Sequence, residues 1–395
     1  MINLREYILD DCELVNQLDF DSTQALDTKI SFNIMVKDEE RCIARCLDSI
    51  IELADEIIIA DTGSQDDTLK IISHYNSKKI KLFHFSWGND FSAVRNFMLE
   101  QSSYSTIFQL DADEYIDDSV DYKCTKKVIA LLLNSLKDQV VIAPLMRDAT
   151  GCVYPKLERI FHFENNNFFY RGNVHEELNN RNITFKAIQI KLPIIHDGYL
   201  EDIIIQKNKS SRNIDLLKLM LEKNELYPRW QYFMAKDMYY ANYPIEDILS
   251  YANRALEVLS FENKHLYYRE ILQLIIAQTL LDHERYSEFE QALEKVNKKY
   301  VEYYYFQLLY LHKSGFDKIN ESLTEIIASF NKLEQSESFF NSNLDHIYFS
   351  IFWLYLQLFY FDEAKNVYKN LNCGKDQIKC KLEEIIKQIE MIIDA

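Results

Sequence analysis

The chain has 395 residues, 48% of them apolar and 13% aromatic, with 26 Tyr and 24 Phe but only 7 Gly and 5 Pro. That balance can fill a large core in two or three domains, and it excludes disorder, a collagen repeat and a turn-rich all-β fold. The formal net charge of −18 argues against a nucleic-acid partner; it would attract a cationic partner such as a basic peptide, or serve solubility alone.

The N-terminus, MINLREYILDDCELV, is acidic and lacks a long apolar run, so no signal peptide is expected. Residues 1–30 read as a helical extension. No apolar stretch reaches the ~18 residues of a membrane span. The seven cysteines, Cys12, Cys42, Cys46, Cys124, Cys152, Cys373 and Cys380, form no CxxC pair and fit a reducing cytoplasm.

From residue 31 strands and helices alternate. Ser31–Val36 predicts a buried strand. Asp38–Leu53 carries a helical stripe at Ile43, Cys46, Leu47, Ile50 and Ile51. Glu56–Ala60 is a second strand. It runs into Asp61-Thr62-Gly63-Ser64, where the aspartate can accept hydrogen bonds from a base or ribose, Gly63 permits a tight turn and Ser64 can cap the next helix. Asp66-Asp67-Thr68 opens that helix. Ile80–Phe85, Phe91–Gln101 and Thr106–Leu110 continue as strand, helix and strand. This alternation predicts a mostly parallel, doubly wound sheet that binds ligands at the carboxyl ends of its strands. After about residue 138, Gln139–Pro144, Val153–Phe163, Phe168–Arg171 and Ile183–Ile195 read as strands without long helices between them. From 201 helices dominate. Trp230-x-x-Phe233 and Ala364/Tyr368 suggest tetratricopeptide-like hairpins, whose repeat is about 34 residues.

The fourth strand ends in Gln109-Leu110-Asp111-Ala112-Asp113-Glu114. Two carboxylates one residue apart at the sheet edge supply hard oxygen ligands for Mg²⁺ or Mn²⁺, which neutralise a diphosphate. Arg95 is a cation among acidic neighbours, and two roles stay open: pairing with Asp90, or meeting a donor.

These segments together resemble family-2 glycosyltransferases of the GT-A fold. The resemblance rests on Asn33-Ile-Met-Val-Lys37-Asp38-Glu39, Asp61-Thr-Gly63-Ser64-x-Asp66-x-Thr68, Trp87-Gly-Asn-Asp90-Phe91-Ser92-x-x-Arg95-Asn96 and Asp111-Ala-Asp113. Two departures stand out: Val94 replaces an alanine, and Val36-Lys37-Asp38 replaces a commoner Y-N pair. Arg159-Ile-Phe161, Gly172-Asn-Val-His175-Glu176-Glu177 and His196-Asp-Gly198-Tyr199 extend the resemblance to a branch with a C-terminal helical-repeat domain, which includes bacteriocin-peptide S-glycosyltransferases of the sublancin type.

The resemblance implies an N-terminal extension (1–30), a GT-A domain (31–200) and an α-helical domain (201–395) for acceptor binding or dimerisation. It implies inverting transfer of a hexose, glucose above all, from a UDP-sugar to Cys or Ser of a bacteriocin-type precursor peptide, by a cytoplasmic homodimer. Val36, Lys37, Glu39, Asp61, Ser64, Asp90, Arg95, Gln109, Asp111, Arg159, Lys209 and Arg212 would form the donor site. Asp113 would hold the metal with Asp111 and His196. The catalytic base would come from His175, Glu176 and Glu177. The alternatives are a saccharide or lipid-linked acceptor in envelope synthesis, and a non-catalytic helical-repeat protein with a decayed transferase domain.

Overall fold

A computed structural model of the chain describes residues 4–18, 27–148, 151–154, 156–196, 209–223, 227–259, 266–314, 316–332, 343–358, 360–372 and 374–393. The chain divides into two compact units, Met1–Met220 and Leu221–Ala395.

The first unit is built on ten strands: β1 (Ile30–Val36), β2 (Glu56–Asp61), β3 (Ile80–His84), β4 (Thr106–Asp111), β5 (Glu114–Ile116), β6 (Val140–Asp148), β7 (Ile160–His162), β8 (Phe168–Arg171), β9 (Glu177–Asn180) and β10 (Lys186–His196). Eight of them form one sheet in the order β3-β2-β1-β4-β7-β6-β10-β5, while β8 and β9 form a separate hairpin. β3, β2, β1 and β4 run parallel. β7 is antiparallel to both β4 and β6, β6 and β10 are parallel, and β5 closes the edge antiparallel to β10.

The apolar runs of β1 and β2 form central strands because both faces of the sheet are covered. Alternate residues of β2 serve opposite layers. Ile57 and Ile59 pack in the cluster that holds Ile43, Leu47 and Ile50. Ile58 and Ala60 pack with Val94 and Met98 of helix Phe91–Gln101. Phe32 and Phe108 stack across β1 and β4 with ring centroids 4.4 Å apart.

Two segments differ from their sequence reading. The helix within 38–53 is Ile43–Ile50, preceded by a turn in which Asp38 adopts a positive φ of 55°. Within 153–163 only β7 is a strand, and Val153 makes a single bridge to Arg147. The described residues before 19 carry a 3-10 helix, Leu4–Tyr7, and a short α-helix, Glu13–Asn16; between them Ile8 bridges Ile190 of β10, and Leu9 N–H donates to the Gln189 carbonyl at 2.9 Å.

In the second unit Pro228–Tyr240 packs with Ile245–Leu259, Leu266–Asp282 with Tyr286–Leu293, Val301–Ser314 with Phe316–Phe330, and Asp345–Gln357 with Phe361–Asn370. The first helices of successive pairs also pack on one another. Small residues such as Ala235, Ala252 and Ala255, all fully buried, let the helices approach closely. This is the helical-repeat pattern anticipated from Trp230, Phe233, Ala364 and Tyr368.

At the amino end of the sheet Glu56 is 4% exposed and accepts four hydrogen bonds. They come from Lys81 Nζ (2.5 Å), Ser31 Oγ (2.7 Å), Ser103 N–H (2.7 Å) and Ser103 Oγ (2.7 Å). Burial pushes its carboxyl up, but these donors outweigh burial and hold it below the ordinary glutamate range. Glu56→Ala is expected to cost about 3 kcal/mol in urea denaturation. Because the folded pKa is depressed, the stabilisation is complete above the ordinary value of about 4.3 and is lost as pH falls below it. The gap between wild type and variant therefore shrinks in acid.

Candidate functional site

The parallel strands bring their carboxyl ends side by side, with Val36 opposite Asp61, Asp61 opposite His84, and Met35 opposite Asp111. The loops beyond β1 and β2 are tied together. Thr62 N–H donates to the Val36 carbonyl at 3.0 Å, Asp38 N–H to Ser64 Oγ at 3.1 Å, Gln65 N–H to Asp38 Oδ1 at 2.7 Å and Glu39 N–H to Thr68 Oγ1 at 2.7 Å. Ser64 therefore does not cap the following helix, which starts at Thr68, beyond its reach. Asp66 instead accepts from Thr68 N–H at 3.0 Å.

Asp61 is 3% exposed. Its Oδ1 accepts the Ser64 N–H at 2.9 Å, and its Oδ2 lies 3.2 Å from Nδ1 of the exposed His84. Burial pushes this carboxyl up, but the bonds from Ser64 and His84 bring it below the ordinary range, so it is a fixed carboxylate. Lys37 is exposed and Glu39 half-buried, with Glu39 Oε2 accepting from Cys42 Sγ at 3.2 Å. Cys42 and Cys46 are buried free thiols. Residue 84 carried no signal in the sequence; only the register against Asp61 brings it to this edge.

The end of β4 is an ionic cluster. Asp111 Oδ1 meets Arg95 Nη2 at 3.0 Å, and its Oδ2 meets Arg159 Nη2 at 3.0 Å. Arg95 Nε also binds Glu176 Oε1 at 2.5 Å, and Arg159 Nη2 binds Glu114 Oε1 at 2.5 Å. Glu114 Oε2 turns back to accept the Asp111 N–H at 2.9 Å. Burial pushes the Asp111 carboxyl up, yet Arg159 and Arg95 overcome it and hold the group below the ordinary carboxylate range. Burial together with the Asp111 charge pushes Glu114 up to about 7, against the pull of Arg159. Arg95 Nη1 and Arg159 Nε are buried donors that lack a partner among the described residues. Arg95 thus pairs with Asp111 and Glu176 rather than with Asp90, whose Oδ1 caps helix Phe91–Gln101 by accepting Ala93 N–H at 3.0 Å. Gln109 is 1% exposed and its Nε2 donates to the Asn33 carbonyl at 2.9 Å, while its Oε1 is buried without a partner among the described residues.

Asp113 and His196 meet at the sheet edge, with Oδ1 and Nε2 3.4 Å apart. Burial lowers the imidazole pKa, but the bond to Asp113 and the nearby carboxylates raise it overall. Among the described residues no group of three His, Cys, Asp or Glu is arranged to hold a metal ion. The Asp113–His196 pair supplies one hard oxygen and one imidazole. That fits two positions of a divalent cation, with the remainder left to a diphosphate and water. Each oxygen of Asp111 meets one guanidinium and keeps a further lone pair.

The Gly172–Glu177 turn lies against the cluster. Gly172 has φ +113°, and a Cβ there would lie 3.3 Å from Met220 Cε and from the Val174 carbonyl. His175, half-buried, sits in the left-handed region at φ +50°, the kind of backbone strain that concentrates at working sites. The turn is fixed by Phe91 N–H donating to the Asn173 carbonyl (2.9 Å) and Asn173 Nδ2 to the Asn89 carbonyl (3.1 Å). Asn96 makes two bonds to the Tyr170 backbone. Glu176 is committed to Arg95, and Glu177 opens β9 opposite Arg171. Arg212 stacks over Phe91 at 5.1 Å from the ring centroid. The Lys209 side chain and residues 197–200 lie outside the described residues.

The glycosyl transferase family 2 profile matches residues 31–197. Over its whole length the chain is 26% identical to the SPbeta prophage-derived glycosyltransferase SunS of Bacillus subtilis, of which it covers 93%. The lipopolysaccharide core biosynthesis glycosyltransferase LpsC of Rhizobium meliloti is 31% identical over 93 residues, 23% of this chain and 34% of that one. Among solved structures, S. aureus TarS 1-349 in complex with UDP-GlcNAc is 15% identical, covers 78% of this chain and 90% of its own, and superposes with a TM-score of 0.34.

The ionic cluster can be tested by unequal losses. Arg159→Met strands Glu114 and half-releases Asp111, and is expected to cost about 3 to 5 kcal/mol in denaturation at pH 7. Glu114→Gln is expected to cost only about 1 kcal/mol, because burial already favours the uncharged carboxyl. Equal losses would show that Glu114 is a full carboxylate at neutrality.

Proposed function

Because residues 31–197 are a glycosyl transferase family 2 domain, we propose that this chain is an inverting, UDP-sugar-dependent transferase that moves a hexose onto a Cys or Ser side chain of a peptide. The observation that carries the reading is full-length similarity to SunS, helical unit included. A saccharide or lipid-linked acceptor has narrower support, since LpsC is matched over only 23% of the chain.

In this reading the uridine of the donor lies against Val36, Glu39 and Asp61, where the Asp61 carboxylate, fixed by Ser64 and His84, accepts from the base. Asp111, held by two guanidiniums, orients the ribose. Asp113 and His196 would hold Mg²⁺ or Mn²⁺, which neutralises charge on the leaving diphosphate when bound. Arg212 faces the same anion, with Lys209 as its companion. The acceptor sulfur or oxygen attacks the anomeric carbon as the bond to the diphosphate oxygen breaks, and UDP departs with that electron pair. His175 takes the acceptor proton. Glu176, tied to Arg95, is the weaker base. The helical unit grips the acceptor or pairs two copies of the chain, and free cysteines suit a cytoplasmic setting.

Asp113→Ala should abolish UDP release that is otherwise stimulated by Mn²⁺ and lost in EDTA; retained, EDTA-insensitive turnover would sink the metal assignment. His175→Ala should lower turnover about 10²- to 10⁴-fold at pH 7. With a cysteine acceptor, whose thiol ionises near pH 8.5, much of that loss should be recovered in alkali. Glu176→Gln should leave the pH profile in place. The acceptor is tested by mass spectrometry of a cysteine-containing peptide incubated with UDP-hexoses: a gain of one hexose that resists β-elimination supports an S-link, and no gain on Cys or Ser peptides overturns the reading.

A further inference from the structure

The first helices of the four hairpins in the second unit together line a cavity of about 370 Å³. Tyr232, Lys236, Tyr239 and Tyr240 come from the first hairpin, Tyr305 from the third and His346 from the fourth. Ile271, Leu274 and Ile275 of the second hairpin add an apolar wall. Tyr240 is 64% exposed at the rim, while Tyr232 is 7% exposed. The Tyr305 and His346 rings meet edge to face at 4.9 Å.

Among the described residues Lys236 is the one lysine or arginine lining this cavity. Among the described residues it has no carboxylate partner; its ammonium lies 5.7 Å from the centroid of the Phe233 ring. The nearby acid Asp282 is already saturated, taking Lys313 at 2.7 Å on one oxygen and Tyr239 OH (2.7 Å) and Gln278 Nε2 (2.8 Å) on the other. Burial pushes the Lys236 ammonium below its ordinary value, against the opposing charge of Asp237. A desolvated cation among tyrosine rings is stabilised most by an anion brought into the same pocket. Phenol and apolar walls suit an aliphatic or aromatic neighbour of that anion. Lys236 brings a positive charge to this wall of a chain whose net charge is −18.

We propose that this cavity is a peptide subsite that receives a carboxylate side chain, Glu or Asp, flanked by apolar residues, with Lys236 as its counter-ion. The subsite deepens the peptide-acceptor reading and rests on it: the acceptor carries an acidic anchor held by the helical unit, apart from the residue that receives the sugar.

The probes are two blocked peptides, acetyl-Leu-Glu-Leu-amide and acetyl-Leu-Gln-Leu-amide, titrated calorimetrically into the full chain. The wild type should bind the Glu peptide roughly ten- to a hundredfold more tightly than the Gln peptide, as expected for a charge-assisted contact. Lys236→Met, which keeps the aliphatic stem, should lose that preference while its melting temperature and its UDP-sugar hydrolysis stay at the wild-type level. Equal binding of the two peptides, binding of neither at millimolar concentration, or a preference that survives Lys236→Met would overturn the subsite. The failure of the acceptor reading looks different: no peptide gains a hexose, whatever the calorimetry shows.

Discussion

The candidate site depends on the charge balance around Asp111. This carboxylate stands at the end of β4 with a guanidinium on each oxygen, and each guanidinium holds a second carboxylate, Glu176 or Glu114. Isolated buried charges would be costly, so the group is stable only when complete. Its members come from a helix, two strands, the approach to β7 and the turn before β9. The cluster therefore fixes where the Gly172–Glu177 turn sits relative to the strand ends, and with it the position of His175. A strained histidine can be kept because Phe91, Asn173 and Arg95 pin its flanks.

Much of this was legible in the sequence. The apolar runs 31–36 and 106–110 and the acids that follow them placed the carboxyl edge of the parallel strands, because parallel strands between helices must be apolar on both faces. The stretch from Asp90 to Asn96 also reads physically once folded: Asp90 caps, Arg95 pairs, and Asn96 holds the backbone of Tyr170. Pairings between segments distant in the chain were not legible. Nothing local shows that Arg95 chooses Asp111 and Glu176 over Asp90, that Ser64 serves Asp38 rather than the next helix, or that Gln109 turns inward to Asn33. Those choices follow from strand register, which a single strand does not encode.

The second unit illustrates the same limit. Its hairpins were suggested by Trp230, Phe233, Ala364 and Tyr368, but the tyrosines of the first helix divide into two populations when the first helices stack. Tyr232 is packed away, whereas Tyr240 stands at the mouth of a cavity. Stacking the repeats gathers four side chains from each of the first two pairs and one from each of the next two into a concave surface that no single hairpin possesses.

Helix Phe91–Gln101, started by the Asp90 cap, reaches three separate segments: Asp111 and Glu176 through Arg95, and Tyr170 through Asn96. Each residue inserted between 90 and 96 would turn everything after it by about 100°, and one insertion would misdirect both Arg95 and Asn96. This stretch therefore tolerates substitution on its solvent side but not a change of length, and relatives that differ in size must take up the difference elsewhere, in the turns between the later strands or in the number of helical pairs.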